Sequence, residues 1–225
     1  TAYSALLARW QQQQRERAVL LAGVSHDLRS PLGRIRLGAE LLPDTPAVAG
    51  RKAAIIRNVA EADRLIGSFL DLVRAETQAM DEVVDLCDAA RTVLAGFDRS
   101  PAELTLQAPD RLLWPRAHRL LVERLLFNLV DNALKHGRAP VRLVLGGDGQ
   151  RAWIEVTDAG DGIAADQVEA MQEAFVRGDP SRSTPGTGLG LAIVRQVVGR
   201  LGGRLSFHAA APGQTVRVEL GPAAG

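Results

Sequence analysis

The sequence has a single cysteine, Cys87, in 225 residues. No disulfide can close within the chain, which fits a reducing compartment, and a cysteine-based zinc site is excluded by count. The four histidines, His26, His118, His136 and His208, lack metal-ligand spacing such as H-E-x-x-H. Aromatic residues make up 4% of the chain. The core must therefore be built from Leu, Val, Ile and Ala, as in helical bundles and compact α/β layers. Charge of one sign is missing too: 27 Lys and Arg stand against 26 Asp and Glu, a net charge of +1. No basic stripe accompanies a reading helix, so nucleic acid is not an expected partner. No apolar run approaches the roughly 18–20 residues that span a bilayer, and no signal peptide is expected within the residues given. The chain starts at Thr1 rather than Met, so it is expected to be a fragment, with any membrane segments upstream.

What is present divides into two parts. Residues 5 to about 42 and about 47 to 78 read as two long amphipathic helices, broken by the turn Leu42-Pro43-Asp44-Thr45-Pro46. The first carries the stripe Leu20, Val24, Leu28, Leu32 and Ile35; the second carries Ile55, Ile56, Val59, Ala62, Ile66, Phe69, Leu70 and Val73. A lone hairpin leaves much of such a face wet, and pairing two hairpins into a four-helix bundle buries it, so a homodimer is expected. After Gln78 the pattern mixes. Strands are predicted at 102–107, 141–146, 151–157, 203–208 and 214–220, and helices at 86–97, 117–136, 164–171 and 188–201. This is an α/β layered domain with about five strands in one sheet. The polar stretch 173–185 reads as a loop.

Two constellations carry chemistry. In Val24-Ser25-His26-Asp27-Leu28-Arg29-Ser30-Pro31-Leu32, His26 shares a helix face with Val19, Ala22, Gly23, Arg29, Ser30 and Gly33, all small or polar. A glycine inside a helix costs up to about 1 kcal/mol relative to Ala, so two of them beside a histidine suggest room for another domain to approach. Asp27 is placed to hold one ring nitrogen as N–H and leave the other nucleophilic. Pro31 removes a helix hydrogen bond and introduces a kink. By itself the same histidine reads more readily as a solvent-exposed residue of an amphipathic helix.

The second constellation has three pieces. Asn128, Asn132 and Lys135 fall on one face of a helix opposite Val122, Leu126, Leu129, Val130 and Ala133. Asn oxygen suits Mg²⁺, and Lys supplies a point charge for phosphate, although by itself this face reads more readily as a polar helix surface. Asp158-Ala159-Gly160-Asp161-Gly162 follows a predicted strand. The Asp can accept from an exocyclic amine and the glycines let backbone approach a flat ring, although a plain strand-ending turn fits as well. Gly186-Thr187-Gly188-Leu189-Gly190 opens a helix and offers N–H groups to an anion. It matches neither G-x-x-x-x-G-K-[ST] nor G-x-G-x-x-G, which disfavours Walker-type and Rossmann sites.

In this order the pieces resemble the sensor histidine kinases of bacterial two-component systems, with the osmosensor type especially similar. His26 to Pro31 resembles the phospho-acceptor H box and Asn128 to Lys135 the N box. Asp158 to Gly162 resembles the G1 box, Phe175-Val176-Arg177-Gly178-Asp179 the F box and Gly186 to Leu191 the G2 box. The resemblance runs from about residue 15 to 220. It implies an α plus α/β fold: a helical-hairpin dimerisation and histidine-phosphotransfer domain over 1–78, then a GHKL-type α/β sandwich ATP-binding domain over 79–225. It also implies roles. His26 accepts the γ-phosphate, Asp27 orients it, and Ser30, where many relatives have Thr, supports dephosphorylation of the partner. Asn132 ligates Mg²⁺ with Asn128 and Lys135 near the phosphates. Asp158 reads adenine, and Gly160 and Gly162 line its pocket. Residues 173–187 form an ATP lid anchored by Phe175, with Arg177 as a phosphate contact, and Gly186, Thr187, Gly188, Leu189 and Gly190 let it fold over.

His136 stands where Tyr is common, and either stacks on the nucleotide or has no role. Gly33 replaces a larger residue, and Trp114-Pro115, in place of a Gly-Asp pair, is read as structural. The implied partners are a second copy of the chain and a response-regulator receiver domain. The implied setting is the cytoplasmic portion of an inner-membrane protein, with membrane contact only through segments outside this chain. Two rival readings are a nucleotide-binding dimeric scaffold and a GHKL ATPase without phospho-His chemistry. Asn132, Asp158 and the glycines argue against the first, and the His26 hairpin argues against the second.

Overall fold

The structure is a computed structural model. It describes residues 23, 27–148, 150–162, 190–210 and 212–221, with backbone alone for 71, 72 and 74–77. The expected helix over 164–171, the loop 173–185 and most of the first helix before Asp27 lie outside the described residues. The chain divides into two compact units that meet between Thr77 and Gln78.

The first unit is helical over 27–40 (α1) and over Pro46–Thr77 (α2). Pro46 takes the first helical position, where its missing N–H is no loss, and Thr45 O accepts from Val48 N and Ala49 N at 2.9 Å. Lys52 closes the turn between the helices, reaching Leu42 O at 3.1 Å and Asp44 Oδ1 at 2.7 Å. Ala39, Val59 and Leu70 are buried. Leu28, Ile35, Leu37, Leu41, Leu42 and Ile55 are exposed in the single chain. Among the described residues no helix is long and apolar enough to cross a membrane.

The second unit runs β1 (Glu82–Asp85), α3 (Leu86–Ala95), β2 (Leu104–Gln107), β3 (Leu113–Ala117), α4 (Arg119–His136), β4 (Val141–Gly147) and β5 (Ala152–Asp158). It continues with α5 (Gly190–Arg200), β6 (Gly203–Ala209) and β7 (Gln214–Leu220). The main sheet has the order β2-β4-β5-β7-β6. β2 pairs parallel to β4 and the other pairs are antiparallel. These are the five strands expected from alternation. In β5 and β7 every second residue is buried against the helical layer, from Ala152 to Asp158 and from Gln214 to Leu220. α4 and α5 pack against one another on that layer. The helical unit followed by an α/β sandwich is the fold class expected from the sequence.

Two strands escaped the sequence reading. β1 and β3 pair antiparallel as a separate two-stranded sheet, with Val84 opposite Trp114. Both are short, and Pro115 lies inside β3, where its missing N–H is tolerable only because the ribbon has open edges. Trp114 is buried, in line with its structural reading. Asp85 joins this ribbon to α3: its Oδ1 accepts from Cys87 N at 3.0 Å as helix cap and from Leu112 N at 3.2 Å. Burial pushes the Cys87 thiol pKa up, which leaves it a packing group rather than a nucleophile.

Candidate nucleotide-binding site

The apolar row of β5 ends in a charge. Ala152, Ile154 and Val156 are buried, and the next residue on that face, Asp158, is 9% exposed. Its Oδ1 accepts from Gly160 N at 2.7 Å. Burial raises its pKa above the ordinary carboxylate range, opposed by hydrogen bonds from the Gly160 and Arg138 backbone. Ala159 N donates to Arg138 O at 2.8 Å and stitches this turn to the segment leaving α4.

Backbone crowds Asp158 from two further sides, one at its carboxylate and one at its own carbonyl. At Gly137, which caps α4 through its N–H to Ala133 O at 3.1 Å, a Cβ would stand 2.3 Å from Asp158 Cγ. At Gly213, in the β6–β7 turn with φ +105°, a Cβ would stand 1.7 Å from Asp158 O. A Cβ on Gly160 would meet Gly137 Cα at 2.8 Å, and Gly162 has φ +78° beside Gln214. Only glycine permits these backbone segments to converge on Asp158, Gly137 and Gly160 at its carboxylate and Gly213 at its backbone carbonyl. The expected Asp158, Gly160 and Gly162 are therefore joined by Gly137, Gly213 and Gln214, which the sequence reading did not single out. Gly137 follows a helix end and Gly213 sits in a Pro-Gly turn, so both had a local signal. Their approach to Asp158 is tertiary and had none.

α4 supplies the second part. Leu121, Val122, Leu125, Leu126, Leu129, Val130 and Ala133 form its buried face, which contains the expected apolar set. Asn128 and Asn132 are half-buried. Asn128 Nδ2 donates to Arg124 O at 2.7 Å, and Asn128 Oδ1 lies 3.3 Å from where a Cβ on Gly190 would sit. The first residue of α5 is thus held against the Asn face of α4. Lys135 Nζ pairs with Asp131 Oδ2 at 2.6 Å, one turn back, a partner the sequence reading did not anticipate. His136 is exposed at the end of α4.

In the helical unit Asp27 and Ser30 are exposed on α1. Ser30 Oγ accepts from Arg34 Nη1 at 2.7 Å, and Arg29 Nε pairs with Asp63 Oδ1 of α2 at 3.0 Å. His26, Phe175, Arg177, Gly186, Thr187, Gly188 and Leu189 lie outside the described residues.

Residues 16–78 match the His Kinase A (phospho-acceptor) domain family. Residues 117–224 match the family of histidine kinase-, DNA gyrase B- and HSP90-like ATPases. Among solved structures, the histidine kinase domain of the Escherichia coli osmosensor EnvZ is 31% identical; the match covers 66% of this chain and 92% of that one, with a TM-score of 0.50. The chain belongs to the sensor histidine kinases. Its match to the signal transduction histidine-protein kinase/phosphatase MprB of Mycolicibacterium smegmatis is 33% identical over 94% of this chain and 46% of that protein. Full-length ShkA in complex with AMPPNP is 25% identical, covering 92% of this chain and 46% of that one, with a TM-score of 0.67. This histidine kinase sequence thus spans about half the length of MprB. The phospho-acceptor match contains His26, Asp27 and Ser30; the ATPase match contains Asn128, Asn132, Asp158 and every glycine of the site.

Proposed function

We propose that this chain is the cytoplasmic catalytic core of a homodimeric, membrane-anchored sensor histidine kinase. It autophosphorylates His26 from ATP and passes the phosphoryl group to an Asp of a response regulator. The observation that carries this reading is the convergence on Asp158. A buried carboxylate in a cradle of glycine backbone suits a flat base with an exocyclic amine, and Asn128 and Asn132 stand on the adjoining helix. The exposed apolar side chains of α1 and α2 support the dimer, in which two hairpins bury what one leaves wet.

In this mechanism Asp158 accepts from the adenine amine. Gly137, Gly160, Gly162 and Gly213 let backbone close on the ring, and residues 173–187, with Phe175 and Arg177, cover the phosphates. Among the described residues no group of three His, Cys, Asp or Glu is placed to hold a metal. Asn132 would hold a Mg²⁺ through its side-chain oxygen beside the phosphates. When bound, Mg²⁺ neutralises charge on the phosphates. Lys135 shares its charge with Asp131 and serves the phosphates from the end of α4. Asp27 keeps the proton on Nδ1 of His26, so that Nε2 presents its lone pair to the γ-phosphorus. The N–P bond forms, the bond to the bridging oxygen breaks, and ADP leaves. Ser30 equips the same hairpin to direct water onto the phosphorylated regulator. Positioning and charge neutralisation supply most of the acceleration.

The metal role is tested by titrating a fluorescent ATP analogue with and without Mg²⁺. The parent is expected to bind at least about tenfold more tightly with Mg²⁺, equivalent to about 1.4 kcal/mol, and Asn132→Ala to lose most of that gain. An unchanged Mg²⁺ effect in Asn132→Ala would remove that residue from the metal site.

A further inference from the structure

The two helices that meet where Asn128 faces Gly190 also share a partner at their other ends. α4 starts at Arg119, directly after His118, and α5 ends at Arg200. His118 Nε2 lies 2.5 Å from Gln78 Nε2, and Arg200 Nη2 donates to Gln78 O at 2.5 Å. Gln78 is the first residue of the second unit, next in the chain to Thr77 at the end of α2. Residues 78–81 lie in neither helix nor strand. β1 begins at Glu82, whose carboxylate accepts from Arg119 N at 2.7 Å and stands 3.5 Å from His118 Nε2. The first residue of the entering segment is thus held by side chains from the start of one helix and the end of the other.

This tie carries local costs. With the Gln78 amide donating to Nε2, the ring proton of His118 sits on Nδ1, which is buried and has no hydrogen-bond partner. His118 also occupies the N-cap of α4 without a side-chain capping bond, where Ser, Thr, Asp or Asn is preferred. An unpaired buried donor and a forgone cap are the kind of local conflict that a functional position retains.

Resting on the kinase reading above, we propose that His118 and Arg200 are positioning residues for phosphoryl transfer. They latch Gln78 onto the ends of α4 and α5 and so shorten the free connection between the phospho-acceptor hairpin and the ATP-binding unit. A shorter free connection raises the effective concentration of one unit's reacting group at the other's, because fewer orientations remain to be searched. α4 runs on to Asn128 and Asn132, and α5 starts at Gly190. The latch therefore fixes the chain's point of entry to the same two helices that form the phosphate end of the nucleotide site.

The test is autophosphorylation of the full chain with γ-labelled ATP and Mg²⁺. It is read as the rate at saturating ATP and as KM, beside the affinity for a fluorescent ATP analogue. Arg200→Met and His118→Phe keep most of each side chain's bulk and remove its contact with Gln78. The double variant is expected to label about tenfold more slowly than the parent, the scale of freeing a short backbone segment, with KM and nucleotide affinity unchanged. Arg200→Lys, which still offers a donor to Gln78 O, is expected to recover most of the rate lost in Arg200→Met. Gln78→Ala truncates a half-buried side chain and reads the His118 contact alone if the double variant does not fold; its rate is expected to fall with KM unchanged. Folded variants that label at the parent's rate or faster overturn the proposal. So do variants whose rate and nucleotide affinity fall together, because a merely structural pair weakens the nucleotide site as a whole. A parent that binds ATP and takes no label brings down the kinase reading itself, and this proposal with it.

Discussion

Gly213→Ala is expected to cost the second unit about 4 kcal/mol or more, the range reserved for substitutions that force backbone apart. Gly213 has φ +105°, which alone strains an L residue, and its Cβ would overlap Asp158 O at 1.7 Å. Neither side has room to yield. Asp158 is registered against Gln214, Ala159 N is bonded to Arg138 O, and Gly213 O accepts from Ala210 N at 2.9 Å in the β6–β7 turn. Gly199→Ala is the control. Gly199 lies inside α5 with nothing within 4 Å of its Cβ position, so alanine there should stabilise by up to about 1 kcal/mol. Denaturant titration of both variants reads the difference. A Gly213→Ala protein as stable as its parent would contradict the convergence on Asp158.

Asp158→Asn is expected to separate binding from stability. A carboxylate accepting from an amine contributes more than a neutral acceptor, and a hydrogen bond to a charged group is worth about 1.5–3 kcal/mol. The variant should therefore lose roughly tenfold to a hundredfold in ATP affinity. Its fold should gain. Burial holds the Asp158 pKa above its unfolded value, so the native state binds the proton more readily than the unfolded chain. Stability is then lost as the pH rises from the unfolded pKa through the native one, and at neutral pH the charged group is a liability. Asn removes that charge and still offers an oxygen to Gly160 N. The thermal midpoint of the variant should exceed the parent's at pH 7, and the gap should narrow as the pH falls toward 4. A lower midpoint at pH 7 would mean that the carboxylate stabilises the corner it occupies. A charge that costs stability and serves binding is the trade expected at a functional site.

The strands of the main sheet were legible because each alternates over several residues, as Thr215-Val216-Arg217-Val218-Glu219-Leu220 does. β1 and β3 were not: four and five residues leave little periodicity, and Pro115 reads as a strand breaker. Asp158 stood out because Asp, Gly and Gly follow an apolar run. Gln214 hid inside β7, since one polar residue at the start of an alternating strand looks like a solvent-facing position until the register places it beside Asp158 on the buried face. Gly137 and Gly213 carried turn signals, but what makes them necessary is Asp158, its carboxylate at the first and its backbone carbonyl at the second, more than twenty residues away from one and more than fifty from the other. The Asp131–Lys135 pair is of another kind. Its four-residue spacing is that of a helix ion pair, a signal carried by the sequence alone.

The central claim rests on His26. Incubating the protein with γ-labelled ATP and Mg²⁺, beside His26→Ala, tests it most directly. The account predicts acid-labile, alkali-stable label on the parent and none on the variant, with nucleotide affinity equal in the two. Label that persists on His26→Ala, or a parent that binds ATP and its response regulator yet takes up no label under any activating condition, would contradict it.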